Sequence, residues 1–281
     1  MNKSKDKITK ERLDVLLVKK GYFDTREKAR IAIMEGKVLV NNQKEDKAGS
    51  LFKEDATISL LEDPIPYVSR GGLKLKKAID CFDIDLKDKT CLDIGASTGG
   101  FTDVMLKGGA KKVFAVDCGT NQLDYKLRKD ERVISLENLN ARYMKKTDIN
   151  DEMVDFISID VSFISLKKIV PVVIEFLKDN NNAVFLIKPQ FEVGKDKVGN
   201  GIIKDKNIHK EVILDIINFS IENNLKILGL TYSPIKGPKG NIEYLLYVSK
   251  LNNKCDETEE NYHKLCDNVV EESHRTLGDK I

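Results

Sequence analysis

Four polar residues of this chain, Asp93, Asp117, Asp160 and Lys188, lie at the ends of apolar runs that read as buried strands. Strand ends at the carboxyl edge of an open α/β sheet converge on one crevice, so these side chains are the first candidates for chemistry. Around Asp93, the stretch Leu92–Asp103 passes from a strand through Gly95, Gly99 and Gly100 into a helix that starts near Phe101. Glycines let the backbone approach a ligand closely and take positive φ, which suits a nucleotide-type ligand beyond the strand end. The dinucleotide spacing G-x-G-x-x-G is absent, since Ala96 and Ser97 follow Gly95, and so is the Lys-Ser/Thr of a P-loop. Asp117 ends the next strand about twenty residues on, where a carboxylate can take a ribose diol. Asp160 and Lys188 would be costly to strand singly after buried strands, and a mutual pair lessens that cost. The plain reading of that pair is a structural salt bridge. The chemical reading is a lysine, tuned by a carboxylate, that acts as general base toward a hydroxyl.

The elements that must position these residues form an alternating series. Apolar strands are expected at Thr90–Ile94, Lys112–Asp117, Arg132–Leu136, Asp155–Asp160, Ala183–Lys188, Lys226–Tyr232 and Ile242–Val248, with helical patterns between most of them. Several are continuous apolar runs, as strands buried on both faces should be. No helix separates the last two, so Ile242–Val248 should run antiparallel in an otherwise parallel, doubly wound sheet. Ahead of them lies a smaller block. Leu13, Leu16 and Leu17 share a helical face that closes at Gly21, and Thr25 or Asp24 caps a helix over Arg26–Glu35 that Gly36 stops. Lys37–Asn42 and Ala56–Leu60 read as a strand pair, and Asp63-Pro-Ile-Pro66 as the boundary. Residues 254–281 read as a terminal amphipathic helix with a charged face.

The Gly-rich turn with Asp117 resembles the first two motifs of class I methyltransferases. Tyr67-Val-Ser-Arg-Gly-Gly-Leu-Lys-Leu75 resembles the Ser-Arg-x-x-x-Lys-Leu opening segment of FtsJ-type 2′-O-ribose methyltransferases, whose Lys-Asp-Lys-Glu tetrad lands on Lys74, Asp160, Lys188 and Glu243. The first block resembles the RNA-binding module first described in ribosomal protein S-four, through Thr25-Arg26, Ala29, Ile33, Gly36, Val38 and Val40-Asn41. Asn42 replaces the family's usual glycine there and tolerates the same left-handed turn. The fusion of the two resembles the TlyA (hemolysin A) family of rRNA ribose methyltransferases over about residues 9–250. This implies a Rossmann-like class I methyltransferase, with a seven-stranded, mostly parallel sheet carrying one antiparallel strand, preceded by a small α+β RNA-binding domain. The domain limits would be 1–62 for the RNA-binding domain, 63–66 for a linker, 67–250 for the methyltransferase domain and 251–281 for a charged helical tail.

The resemblance also implies roles. S-adenosyl-L-methionine would be the cofactor, its methionine end cradled by Asp93, Gly95 and the Ser97, Thr98 and Gly99 turn. Asp117 would hold its ribose, and Asn138 or Asn140 would lie near the adenine. Lys188 would deprotonate the 2′-hydroxyl and Asp160 would orient that lysine. Lys74 and Glu243 would place the target ribose, of a cytidine in ribosomal RNA, so that ribosomal subunits are the expected partners. Arg12, Arg26, Lys28 and Arg30 in the small block and Arg70 beside the active site would supply phosphate contacts, which position without specifying sequence. The Lys195–Lys206 loop could be a flap over substrate or an inert surface loop.

Composition narrows the class. Charged residues make up 33% and hydrophobic ones 41%, ordinary for a globular protein. No apolar run approaches the roughly 18–20 residues of a membrane-spanning helix, and the N-terminus lacks a signal peptide's apolar core, so a cytoplasmic protein is expected. A pore-forming hemolysin, the reading that the family name carries, needs segments that satisfy their backbone in lipid. A non-catalytic ribosome-assembly factor would not need the intact set Asp93, Asp160, Lys188 and Glu243. A base-amino methyltransferase would carry Asn/Asp-Pro-Pro-Tyr/Phe where this chain has Asp160-Val-Ser-Phe163. Five scattered cysteines and His209, His263 and His274 show no ligand spacing, so no metal is expected and the histidines read as solvated or half-buried. Net charge is +2, but residues 1–62 hold 14 Lys and Arg against 11 acids, and residues 254–281 hold 4 against 8. A modestly basic front and an acidic tail point only weakly to nucleic acid. No oligomeric state follows from the sequence.

Overall fold

The computed structural model describes residues 10–34, 36–41, 43–60, 65–194, 201–253 and 258–278, in two compact units, Met1–Pro66 and Tyr67–Ile281. The end of the second expected helix (Glu35), the Asn42 turn, Asp63-Pro64 of the boundary, the 195–200 part of the loop and parts of the tail (254–257 and 279–281) lie outside the described residues.

In the small unit, β1 (Lys10–Arg12) leads into α1 (Leu13–Lys19), then α2 (Arg26–Met34), β2 (Val38–Val40), β3 (Gln43–Glu45), β4 (Leu51–Lys53) and β5 (Ile58–Leu60). Leu13, Leu16 and Leu17 are fully buried against Ala29, Ile33, Val38 and Ile58. This is the i, i+3, i+4 face that the spacing predicts. Thr25 Oγ1 accepts the Lys28 amide at 3.3 Å, and Gly36 follows α2 at φ +67°, a left-handed stop. The expected pair of strands is β2 and β5, in register Val38↔Leu60, but β3 also pairs with β2, and β1 pairs with β4. Those extra strands have three residues each, rich in Lys and Glu, too short for an alternation to show.

The large unit opens with α3 (Gly72–Phe82). There follow β6 (Thr90–Ile94), α4 (Gly100–Lys107), β7 (Lys112–Val116), α5 (Tyr125–Arg128), β8 (Val133–Leu136), β9 (Val154–Ile159), α6 (Val170–Val173), β10 (Leu177–Ile187) and α7 (Pro189–Glu192). The chain closes with α8 (Lys206–Glu222), β11 (Leu225–Tyr232), β12 (Tyr244–Lys250) and α9 (His263–Leu277). The seven strands lie in the order β11-β12-β10-β9-β6-β7-β8, and β12 is antiparallel to both neighbours. Alternate residues feed two cores: Leu92, Ile157 and Phe185 face one side, while Cys91, Phe156 and Val184 face the other. The chain leaves β6 toward β7 and β8, then returns to β9 on the other side of β6. That reversal opens the crevice beyond β6 and β9.

The tail helix α9 is amphipathic, with Cys266, Val269, Val270 and Ser273 buried on one face. Two expectations are corrected. Asp117, Asp160 and Lys188 fall just past their strands rather than within them, and β12 starts at Tyr244, so Glu243 precedes it. His209 is neither solvated nor half-buried. Its ring is fully enclosed, with Nδ1 2.7 Å from Tyr244 Oη, Nε2 3.1 Å from the Ile203 carbonyl, and His274 Nε2 3.1 Å from Nδ1. Burial, followed by the neighbouring His274, pushes the His209 pKa down to about 4, so the ring is neutral near pH 7.

One interaction in the small unit gives a stability prediction. Asp14, fully buried at the start of α1, accepts from Arg12 Nε at 3.0 Å and from Arg26 at 2.9 Å. Burial alone would raise its pKa, but the two arginines outweigh it and hold the carboxyl down at about 2. A depressed carboxyl pKa stabilises the fold above the unfolded value near 4, and the contribution is lost as pH falls toward 2. Asp14→Asn should therefore lower the opening free energy of α1 and α2, measured by hydrogen exchange at pH 7, by about 2 kcal/mol. A loss under about 0.5 kcal/mol would mean that the arginines hold nothing together.

Candidate active site

The Gly-rich turn after β6 is built from positive-φ residues: Gly95 at +83°, Ser97 at +48° and Gly99 at +93°. A side chain at Gly95 would put its Cβ 2.2 Å from the Asp160 carbonyl oxygen, so the ends of β6 and β9 can meet only over a glycine. Asp117 clamps the turn to β7: its Oδ2 accepts the Ser97 amide at 2.8 Å and its Oδ1 the Gly119 amide at 2.7 Å. Asn138, in a left-handed conformation at +56°, bonds its amide to the Gly119 carbonyl beside this clamp. The Asn140 side chain is engaged elsewhere, capping a 3₁₀ turn by accepting the Arg142 amide at 3.0 Å. A cavity of about 120 Å³ opens over the turn, lined by Ser69, Gly71, Ala96, Ser97, Thr98 and Asp160.

Asp93 does not line that cavity. Fully buried, it accepts from Thr102 Oγ1 at 2.7 Å and from Ser158 Oγ at 2.9 Å, and so ties β6, β9 and α4 together beneath the turn. Burial is the largest influence on its carboxyl; the two hydroxyls oppose it and the Asp160 charge adds to it, leaving a pKa of about 6.

The four residues of the expected tetrad converge. Lys74, on α3, donates to Glu243 Oε2 at 2.6 Å and lies 3.8 Å from Asp160 Oδ2. Lys188 Nζ lies 2.5 Å from Asp160 Oδ1 and donates to Ser162 Oγ at 2.9 Å. Lys74 and Lys188 are each only 7% exposed and Glu243 is 1% exposed, so these charges meet largely out of water, where pairing is required. The local chain explains the convergence. Pro189 turns the backbone out of β10 into α7 directly after Lys188, and Gly237 leaves room for Glu243, whose Oε1 would lie 2.5 Å from a Cβ there.

Beyond this chain of charges lies a second cavity of about 280 Å³, lined by Ser162, Phe163, Lys188, Phe191, Asn241 and Glu243 among others. The Phe163 and Phe191 rings sit 5.0 Å apart, and Phe163 is 86% exposed at φ +64°. Asp160 thus faces one compartment, and Lys188 and Glu243 face the other. Sequence reasoning did not single out Ser69, Ser162 or Asn241. Ser162 stood within the quoted run after Asp160, but nothing in its type marked it as the partner of Lys188. Asn241 is 1% exposed, accepts the Ile203 amide at 2.9 Å and donates to the Gly201 carbonyl at 2.7 Å, so it ties the 201–203 segment to the stretch that leads through Glu243 into β12.

The expected RNA contacts are exposed, though not all are uncommitted. Arg12 and Arg26 hold Asp14, and Lys28 pairs with Asp24 at 2.7 Å. Arg30 and Arg70 are exposed, Arg70 next to Ser69 of the first cavity. Among the described residues, no helix is long and apolar enough to cross a membrane.

The buried Asp93 carboxyl sets a pH test. A carboxyl raised in the fold stabilises it fully below the unfolded value near 4 and loses that contribution as pH rises through about 6. Urea unfolding of Asp93→Asn should therefore gain on wild type by about 2 kcal/mol between pH 4.5 and pH 7.5. A difference that stays flat across that range would refute the burial account.

Comparison with known proteins agrees with this architecture. The FtsJ-like methyltransferase family model matches residues 67–250, and the S4 domain model matches residues 11–58. The Bacillus subtilis protein YqxC is 47% identical over 96% of this chain and 96% of its own length. The 16S/23S rRNA (cytidine-2′-O)-methyltransferase TlyA of Mycobacterium tuberculosis is 37% identical over 84% of this chain and 89% of its own. A solved structure of a hemolysin-named protein from Streptococcus thermophilus covers 96% of this chain and 97% of its own at 43% identity, with a TM-score of 0.74. The chain belongs to the FtsJ-like methyltransferase family, with an S4 domain at its N-terminal end.

Proposed function

We propose that the large unit transfers a methyl group from S-adenosyl-L-methionine to the 2′-hydroxyl of a cytidine ribose in ribosomal RNA. The observation that carries this reading is the Glu243–Lys74–Asp160–Lys188 chain standing between two cavities, Asp160 toward one and Lys188 toward the other. The cofactor side fits the group that the family implies. Glycines, Ala96, Ser69, Ser97 and Thr98 line most of the first cavity, with Phe101 and Asp160 completing it, and Asp117, just past β7, retains lone pairs for a diol after accepting two amides. When bound there, the cofactor supplies an already activated methyl on a sulfonium. Asp93 supports this site from beneath rather than touching the ligand.

The residues of the second cavity do the rest. Lys188 Nζ is the group placed to take the 2′-hydroxyl proton, and Asp160 stabilises the ammonium. Ser162 and Asp160 together fix the direction of that Nζ, which sets the alignment a displacement at methyl needs. Lys74, neutralised by Glu243, holds Asp160 from the other side, and Glu243 meets the ribose at the rim. The Phe163–Phe191 wall offers an aromatic face to an unstacked base. TlyA of M. tuberculosis is named for the cytidine 2′-O reaction on both rRNAs, which supports cytidine as the target here. The small unit, an S4 domain, presents Arg12, Arg26, Lys28 and Arg30 to RNA, with Arg70 beside the cofactor cavity. Asp14 fixes two of those guanidinium groups in place.

Purified wild-type protein should transfer label from methyl-labelled cofactor to ribosomal subunits. Lys188→Arg keeps the charge but cannot surrender its proton, so it and Lys188→Ala should lose at least about 100-fold in kcat while cofactor affinity holds. Wild-type turnover by either variant would remove Lys188 from the reaction.

A further inference from the structure

A cavity of about 950 Å³ in the large unit lies beside the target cavity rather than within it. Its walls are the 202–206 segment, the 236–240 loop and the outer face of α9, and Ile202, Ile203 and Ile242 form part of its lining. The two cavities share Lys239. The segment between them alternates: Asn241 and Glu243 line the target side, while Ile242 lines the other. A polymer that places one residue at Glu243 is therefore led over Lys239 into this groove.

The groove is basic although it borders the acidic end of the chain. Lys204, Lys206, Lys236, Lys239 and Arg275 line it, against Glu271 and Glu272. The acids of α9 are engaged: Glu271 lies 2.6 Å from Lys206 and 3.7 Å from Lys210, Asp267 lies 2.9 Å from Lys210, and Glu272 accepts from Tyr232 Oη at 3.4 Å. The imidazole of His274, which also lines the groove, has its pKa lowered by burial first and then by Lys206; Glu271 and Asp205 oppose this and Lys236 adds to it. Two of the three acids on α9 are thus paired with lysines of α8, and cations outnumber acids on the groove wall.

Resting on the reading of the second cavity as a target-ribose site, we propose that this groove holds the single-stranded RNA next to the modified nucleotide, with Lys236, Lys239 and Arg275 meeting its phosphates. A point cation on a flexible stem suits a backbone contact that positions the strand without reading its bases. A groove bordered by isoleucines, with no Phe, Tyr or Trp among its lining residues, likewise offers shape and charge more than a stacking platform, so bases are read at Phe163 and Phe191 instead.

The test uses the full chain and a fluorescein-labelled, mixed-sequence 20-nucleotide single-stranded RNA, titrated by anisotropy across a potassium chloride series. Lys236→Ala/Lys239→Ala/Arg275→Ala should weaken binding at least about tenfold and reduce the log–log salt slope by about 2, close to 0.7 per lost phosphate contact. Cofactor affinity by calorimetry and the melting temperature should hold, and Lys236→Arg/Lys239→Arg should bind like wild type. Lys226→Ala, at the far end of β11, is the control for bulk charge and should change neither quantity. Binding within twofold of wild type for the triple variant, an equal loss for Lys226→Ala, or no RNA binding by wild type would each overturn the groove. Methyl transfer to ribosomal subunits, run in parallel, separates the two readings. Transfer by wild type with an unchanged slope sinks only the groove, whereas no transfer sinks the ribose-methylation reading beneath it.

Discussion

Asp160 is one carboxylate between two lysines, 2.5 Å from Lys188 and 3.8 Å from Lys74, at a point where water is largely excluded. Buried cations of this kind are tolerated only when paired, so the positions of α3, β9, β10 and the start of β12 are mutually constrained by charge as well as by packing. Gly95 and Gly237 follow from the same constraint. Each leaves room at a point where a side chain would drive the Asp160 backbone or the Glu243 carboxylate out of line. Gly95 thereby also lines the cavity over the turn.

The sheet converts this local pairing into a two-sided site. β6 and β9 adjoin at the topological reversal, so the Gly-rich turn and Asp160 share one crevice. β10 and β12 lie one and two strands further along and carry Lys188 and Glu243 to the other side of the same charges. Beneath them Asp93, Thr102 and Ser158 form a buried polar knot that fixes α4 to the sheet. The structure thus separates two tasks that sequence reading merged. Asp93 holds the turn from beneath, and Asp117 clamps it from the end of β7 through the Ser97 and Gly119 amides.

Much of this was legible because strand ends declare themselves. Continuous apolar runs stop at Asp117, Asp160 and Lys188, and a parallel sheet gathers such ends at one edge. Lys74 was legible only through resemblance, since a lysine on an amphipathic helix otherwise reads as a solvated face; its partner Glu243 is 169 positions away. His209 failed for the same reason. Its enclosure depends on Tyr244, Ser273 and His274, which helix periodicity around residue 209 does not reveal. The short strands of the small unit and the commitment of α9's acids to lysines on α8 are likewise tertiary facts, and charge counted along the chain pointed away from them.

The central claim is that this arrangement methylates a ribose hydroxyl rather than a base. The most direct measurement is the chemical position of the transferred methyl group. Ribosomal RNA labelled by the protein is digested with alkali, which cleaves every linkage whose 2′-hydroxyl is free. The account predicts label in an alkali-resistant dinucleotide whose first residue is cytidine. Label released wholly as mononucleotides, carried on the base, would contradict it.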